Sequence, residues 1–467
     1  MSEPIKRSLG TTPGERQLAD LCEQSFLSMW SYPNLFRDQR LPGGRGGGKE
    51  LCDLLAVCGK HVIVFSEKTC AFPAARDLHT SWSRWFRRSV SASVQQLRGA
   101  QRWLQSHPDR VYMDEACRVP FPLPGLEPST TRFHRVAIAR GAVQRCAEEC
   151  GGTGTLALDS DIIGAAHVER THPNYRPFAV GVVDPDEPFV HIFDEIGIEV
   201  VLREQNTIAD FVSYLEAREE LIASRRLFWS DGEEDLLAVY IAHANGAGVH
   251  YFPPEDASGP MQTERGAWFD LQNRPEYQRK QSADRDSYLW DSIIEEFAGH
   301  TFAGTLVNST ATLSEVEGVL RVMALEARLH RRILARALQE KASSVRPDMW
   351  GIRSMKSPSQ EDVTYIFLFY PQARSPDERH REQRRLLLQD YMFVYASLHQ
   401  THSIVGVATE SGLDVPTRSH DLAFRGTQTW TAEAIAAAQE IQQRRKVLLG
   451  STVSLSEATA CEFPDPE

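Results

Sequence analysis

The sequence predicts an α/β protein with an N-terminal α-β-β-α-β unit and a further mixed α/β domain toward its C-terminal end. Three observations predict it. Two β-patterned runs, ELCDLLAVC and HVIVFSEK, are separated only by Gly59 and Lys60, a link suited to a tight hairpin. One stripe at helical spacing then follows: Phe86, Val90, Ser93, Leu97, Ala100 and Leu104. Past residue 360, the buried-type strands VTYIFLFYP and SIVGVATE alternate with helical segments, the pattern of a small α/β domain.

Composition sets the outer bounds. The 467 residues amount to about three domains' worth of chain, and 42% apolar with 24% charged residues is ordinary for a globular protein. No apolar run approaches the ~20 residues of a membrane span, and MSEPIKRSLGTTPGERQ lacks the apolar core of a secretory signal. A cytoplasmic protein is expected. The eight cysteines are scattered, as reduced buried thiols are. Cys146 and Cys150 fall four apart in a predicted helix. No second pair at zinc-site spacing accompanies them, so helix packing is expected. The net charge of −12 argues against non-specific nucleic-acid binding by the whole surface. Residues 1–110, however, carry 16 Lys and Arg against 10 Asp and Glu, which implies one basic surface on an otherwise acidic protein.

The elements follow in order. A first helix is capped by Thr12, with Pro13 at its first position and Leu18, Leu21, Cys22, Phe26 and Met29 at helical spacing. SYPN ends it, and a loop through RDQRLPGGRGGG leads to the hairpin. Gly43, Gly48 and Lys49 match a phosphate-binding P-loop up to its last position. Glu50 stands where Ser or Thr would hold magnesium, and a hairpin follows instead of a helix. The glycines therefore read as a flexible approach to the hairpin. The helix over 80–105 carries a second stripe, Arg84, Arg88, Ser91, Gln95, Arg98 and Arg102, and HPD ends it.

Strands are expected at FHRVAIAR, GTLALDS, PFAVGVV and PFVHIFDE, with His134 and His191 as core or edge histidines and Asp159 to Asp161 in an acidic loop. Thr207 caps a helix that buries Phe211, Tyr214 and Leu215, and Glu233, Glu234 and Asp235 open another. These features divide the chain into 1–200, a helical connector over 201–275, and a C-terminal domain over 276–467. In that last part TLSEVEGVLRVMALEARLHRRILARALQEK reads as one long helix. A strand, a helix, a strand and a final helix follow, then a loose tail.

The hairpin carries the chemistry. Asp53 lies inside its first strand, and Glu67 and Lys68 end the second. Cleaving a phosphodiester requires charge neutralisation on the phosphate and a hydroxide at neutral pH, and a divalent ion held by carboxylates supplies both. Magnesium prefers one or two carboxylates plus water and phosphate, while a lysine orients the attacking water. With helices on either side, the arrangement over residues 12 to about 140 resembles the PD-(D/E)xK nuclease superfamily, that is, a restriction-endonuclease-like core. The surrounding segments are also similar to those of a group of uncharacterised bacterial proteins.

The resemblance implies a metal-dependent endonuclease acting on DNA or RNA, with Mg2+ or Mn2+ held by Asp53 with Glu67 or Glu50. It departs from the pattern in one place. The acid two residues before the lysine is here Ser66, and Glu67 points to the other face of a regular strand. Either a bulge re-aims Glu67, or Glu50, Glu15 or Glu23 takes its place. Nucleic acid would run along Arg84, Arg88, Arg98 and Arg102, with Trp82, Trp85 and Trp103 nearby. The alternative is a catalytically silent nuclease fold that binds nucleic acid or a protein partner as a scaffold.

Overall fold

The computed structural model describes residues 4–38, 47–73, 77–126, 130–254, 259–306, 311–373, 377–399, 403–412, 419–426, 429–449 and 461–465. The described chain is mixed α/β and divides into two compact units. The first comprises residues 1–280, 295–325 and 465–467, and the second residues 281–294 and 326–464.

In the first unit, α1 (Pro13–Phe26) starts as its sequence dictates. The Thr12 side chain accepts from the Glu15 amide and Glu15 reaches back, closing a capping box. A strand the sequence reading lacked follows it: β1 (Ser31–Asp38), where a helix stop and loop were expected. It pairs antiparallel with β2 (Gly48–Cys58), which turns at Gly59, in the left-handed region at φ 60°, into β3 (His61–Thr69). Residues 39–46, including Gly43 of the P-loop-like run, lie outside the described residues. Gly48 and Lys49 belong to β2, not to a strand–loop–helix cradle.

The expected helix over 80–105 is α2 (Leu78–Phe86), a π-helical turn over Arg87–Ser91, and α3 (Ala92–Ser106). Its predicted stripe, Phe86, Val90, Ser93, Leu97, Ala100 and Leu104, is buried throughout. The central sheet has the order β4-β1-β2-β3-β5-β8, with β4 (Val111–Tyr112), β5 (Arg132–Arg140) and β8 (His191–Phe193); β5 is parallel to both β3 and β8. Helix α4 (Val143–Cys150) lies between β5 and β6. The two-stranded pair β6 (Ala157–Ile163) and β7 (Ala179–Val182) is separate, and Asp159 is buried within β6 instead of sitting in an acidic loop.

Helices α6 (Ile208–Ala223) and α7 (Glu233–Ala242) follow as the sequence predicts, with Thr207 capping α6 and Phe211, Tyr214 and Leu215 buried, and they are preceded by α5 (Glu195–Glu204), for which the sequence pattern gives no expectation. Strand β9 (Leu227–Trp229) pairs with β10 (Met261–Gln262). Helices α8 (Ala267–Gln272), α9 (Pro275–Asp284), α10 (Tyr288–Ala303) and α11 (Leu313–Ala324) come next in the chain, the end of α9 and the first part of α10 belonging to the second unit.

The single long helix expected near residues 312–341 is two. Helix α11 ends at Ala324, and α12 (Arg328–Ser344) begins after Leu325–Ala327. No proline or glycine marks the break. Glu326, fully buried, accepts from the Tyr365 hydroxyl at 3.0 Å and from Ser357 at 2.5 Å, so tertiary hydrogen bonds overrule helix propensity. In the second unit β11 (Gly351–Lys356), β12 (Val363–Tyr370), β13 (Ser403–Glu410) and β14 (Asp421–Arg425) form a sheet in that order. Helices α13 (Glu378–His399) and α14 (Ala432–Arg445) accompany it, and Leu388, Met392, Ile366 and Ile404 share its core. The sequence reading lacked β11 and β14. Buried Arg384 is satisfied by Glu410 and Asp421, which fits a structural ion pair, not an open site.

Candidate active site at the β2–β3 hairpin

Asp53 and Lys68 are brought to one region by the hairpin. Asp53, 3% exposed, is held at both oxygens: Oδ2 accepts the Glu67 amide at 2.5 Å, and Oδ1 accepts from Gln96 Nε2 at 3.3 Å. Gln96, from α3, in turn accepts from Ser66 Oγ at 3.2 Å. Ser66, at the position where the superfamily pattern has an acid, thus orients Asp53 through Gln96.

Burial pushes the Asp53 carboxyl up to about 6. The Lys68 charge and the Glu67 amide pull it down, while the neighbouring carboxylates Glu50 and Glu15 add to the rise. One acid of the same strand, Glu50, and one of α1, Glu15, are therefore close enough to repel Asp53. Asn34 links them: its Nδ2 donates to Glu15 Oε2 at 2.9 Å and to Glu50 Oε1 at 3.2 Å. Asn34 sits at φ 51°, a conformation Asn tolerates better than most residues, and Ser8 Oγ donates to its Oδ1 at 2.8 Å.

The second acid is where the residues alone leave alternatives. Strand β3 pairs with β5 in unbroken register from His61 to Thr69, so no bulge re-aims Glu67. Its carboxylate is buried on the opposite face and ion-paired to Arg140 at 2.9 Å. It also accepts from Thr69 Oγ1 at 2.6 Å and packs against Gly14 of α1. The bulge is in the β1–β2 pair instead: Leu35 faces Cys52 and Phe36 faces Glu50, which skips Leu51 and re-aims the strand beside Glu50. Glu50 is exposed, and Glu15 is half-buried. Glu23, by contrast, pairs with Arg7 on the surface.

Of the arginine stripe, Arg84, Arg88 and Arg102 are exposed, whereas Arg98 is half-buried and paired to Asp184 at 2.9 Å. Trp82 and Trp85 are not stacking platforms. They are core residues whose indoles donate to the His167 and Cys70 carbonyls. Trp103 is covered by Arg37 and Arg110, whose guanidinium carbons lie 4.9 and 5.0 Å from its ring. Cys146 is buried and Cys150 exposed, both free thiols.

Gln96 and Asn34 were not singled out from the sequence. Gln96 stands between two stripes of one helix, and Asn34 lies in a turn-like tetrapeptide. Nothing local distinguishes either from a solvated polar residue. Among the described residues no helix is long and apolar enough to cross a membrane. Comparison with protein-family models, with curated proteins and with solved structures found no match to this chain.

Proposed function

We propose that the chain is a metal-dependent nuclease of the PD-(D/E)xK type. On this reading Asp53 and Glu50 hold the metal, Glu15 stands behind Glu50, and Lys68 is the catalytic cation. The observation that carries it is the meeting of a buried, electrostatically crowded carboxylate with a lysine and two further acids at the end of one hairpin. The order α1, β1 to β3, α2 and α3, β4, β5 contains a helix, a hairpin, a helical segment and a strand in the succession expected from the resemblance, with β1 and β4 as additional strands, and this supports the reading.

The donor set fits Mg2+ or Mn2+. It consists of hard carboxylate oxygens, and a cation between Asp53 and Glu50 would relieve the repulsion and burial that raise Asp53. Bound there, the metal would neutralise charge on the phosphate and supply hydroxide at neutral pH. The chain's own residues do the rest. Gln96 and the Glu67 amide fix the Asp53 carboxylate, so that it presents one orientation without reorganisation. Lys68, half-buried beside it, offers positive charge to the phosphate oxygen that gains charge as the bond breaks. Exposed Arg84, Arg88 and Arg102 would meet the polyanion's backbone without reading its sequence.

A second reading, a silent nuclease fold serving as a scaffold, is favoured by Ser66 in the acid position and by the engagement of Glu67 with Arg140. Labelled single- and double-stranded DNA and RNA, incubated with Mg2+, Mn2+ or EDTA, separate the two. Cutting that needs metal and disappears in Asp53→Ala supports the nuclease. Metal-independent binding without cutting supports the scaffold, and neither cutting nor binding removes both.

A further inference from the structure

At the other end of β3, away from Asp53, two imidazoles and a carboxylate converge. His61 opens β3, and His134 lies on β5 opposite Ile63 in the parallel register, so both rings leave the same face of the sheet. Glu216 comes from α6. Each residue offers one ligand atom, and the three atoms lie within 4.8 Å of one another.

His61 Nδ1 faces His134 Nε2 at 3.1 Å. Two nitrogens bound to one tetrahedral zinc, at the usual ~2.0–2.1 Å each, stand about 3.4 Å apart, so the spacing is already close to that of a ligand pair. The rings are within 27° of coplanar with centroids 5.4 Å apart, a head-on pairing in which one proton can be shared. With the His61 proton on Nε2 and the His134 proton on Nδ1, both facing nitrogens carry lone pairs, and a cation off the line between them would meet both once the rings tip. His61 is half-buried and Glu216 is exposed, so the cluster opens to solvent on one side. Arg132 Nη1 competes for Glu216 at 2.8 Å, in an exposed ion pair of the kind that contributes little to stability.

We propose that His61, His134 and Glu216 form a binding site for a divalent cation of the zinc class, tying β3 and β5 to α6. Imidazole nitrogens select zinc, nickel or copper over magnesium, which distinguishes this donor set from the all-oxygen set at Asp53. Three protein ligands leave the fourth tetrahedral position to water. The inference does not rest on nuclease activity.

The test is zinc titration of the chelator-treated full-length protein by calorimetry, with Co2+ absorption reporting tetrahedral coordination. With Mg2+ in excess to occupy the all-oxygen site, about one equivalent of zinc should bind and raise Tm. His61→Gln and His134→Ala should each weaken binding at least about tenfold, Glu216→Gln should weaken it measurably, and Arg132→Ala should tighten it by freeing the carboxylate. His61 is partly exposed, so His61→Gln should keep the circular dichroism of the wild type. Asp53→Asn and the Cys146→Ala/Cys150→Ala double variant should bind zinc unchanged. Zinc binding that survives both histidine variants, that is lost with the two cysteines, or that never reaches stoichiometry would overturn the proposal.

Discussion

Replacing Asp53 by Asn should stabilise the metal-free protein, and the gain should depend on pH in a defined way. An unfolded aspartate titrates near its ordinary value of about 4, whereas burial holds Asp53 protonated up to about 6 in the fold. Between those values the folded state binds the extra proton, so stability falls as pH rises through the window. Above it the full penalty is present. A rise of about two pKa units corresponds to about 3 kcal/mol. Asn keeps an acceptor for the Glu67 amide, but its new N–H group finds less than ideal partners, so a net gain of about 1–3 kcal/mol is expected at pH 7.5. At pH 4 the two proteins should differ little. Urea unfolding in EDTA at both pH values measures this. A variant that is less stable at pH 7.5, or whose difference from wild type is the same at pH 4, would refute the electrostatic account of the site. Saturating Mg2+ should stabilise the wild type and leave the variant unmoved.

Other expectations follow from the same packing. Gly14→Ala should destabilise despite alanine's better helix propensity, because the new Cβ would lie 2.6 Å from Glu67 Oε1, a carboxylate pinned by Arg140 and Thr69. A loss of about 1–3 kcal/mol in thermal or urea unfolding is expected, and a stabilised variant would contradict the pinning. Leu97→Ala empties a fully buried site on α3 and should cost about 2–5 kcal/mol by the same measurement. If nucleic acid follows the exposed arginines, changing Arg84, Arg88 and Arg102 to Ala should lower affinity on all sequences alike. On duplex DNA it should also reduce the slope of log affinity against log salt, by up to about 0.9 for each phosphate that is no longer neutralised. An unchanged slope would place the polyanion elsewhere.

Much of this was legible where local signals agree with the fold. Thr12 and Pro13 announce the start of α1, and Gly59–Lys60 sets the hairpin register that brings Asp53 near Lys68. The stripe from Phe86 to Leu104 fixed which side of the helix meets the sheet, and it survived the π-helical turn over Arg87–Ser91 because that turn keeps Ser89 and Val90 inside. Illegible elements depend on distant partners. Strand β1 contains Pro33 and Asn34, which locally signal a turn, and it is a strand because β2 lies beside it. The break between α11 and α12 depends on Glu326 meeting Tyr365, 39 residues away. In the site, Asp53, Lys68 and the problem posed by Ser66 could be read from the strand pattern. That Arg140 claims Glu67, that a bulge lies beside Glu50, and that Gln96 bridges Ser66 to Asp53 are consequences of tertiary packing.

Nuclease chemistry at the hairpin is best tested by Mg2+-dependent cleavage of the substrate the wild type cuts best. The variants to set beside the wild type are Asp53→Asn, Lys68→Ala, Glu50→Gln and Glu67→Gln. The first three should lose about 100-fold or more of the rate. Glu67→Gln should lose less than Glu50→Gln, because its carboxylate is committed to Arg140. Undiminished cleavage by Asp53→Asn, cleavage that persists in EDTA, or a greater loss in Glu67→Gln than in Glu50→Gln would contradict a metal held between Asp53 and Glu50.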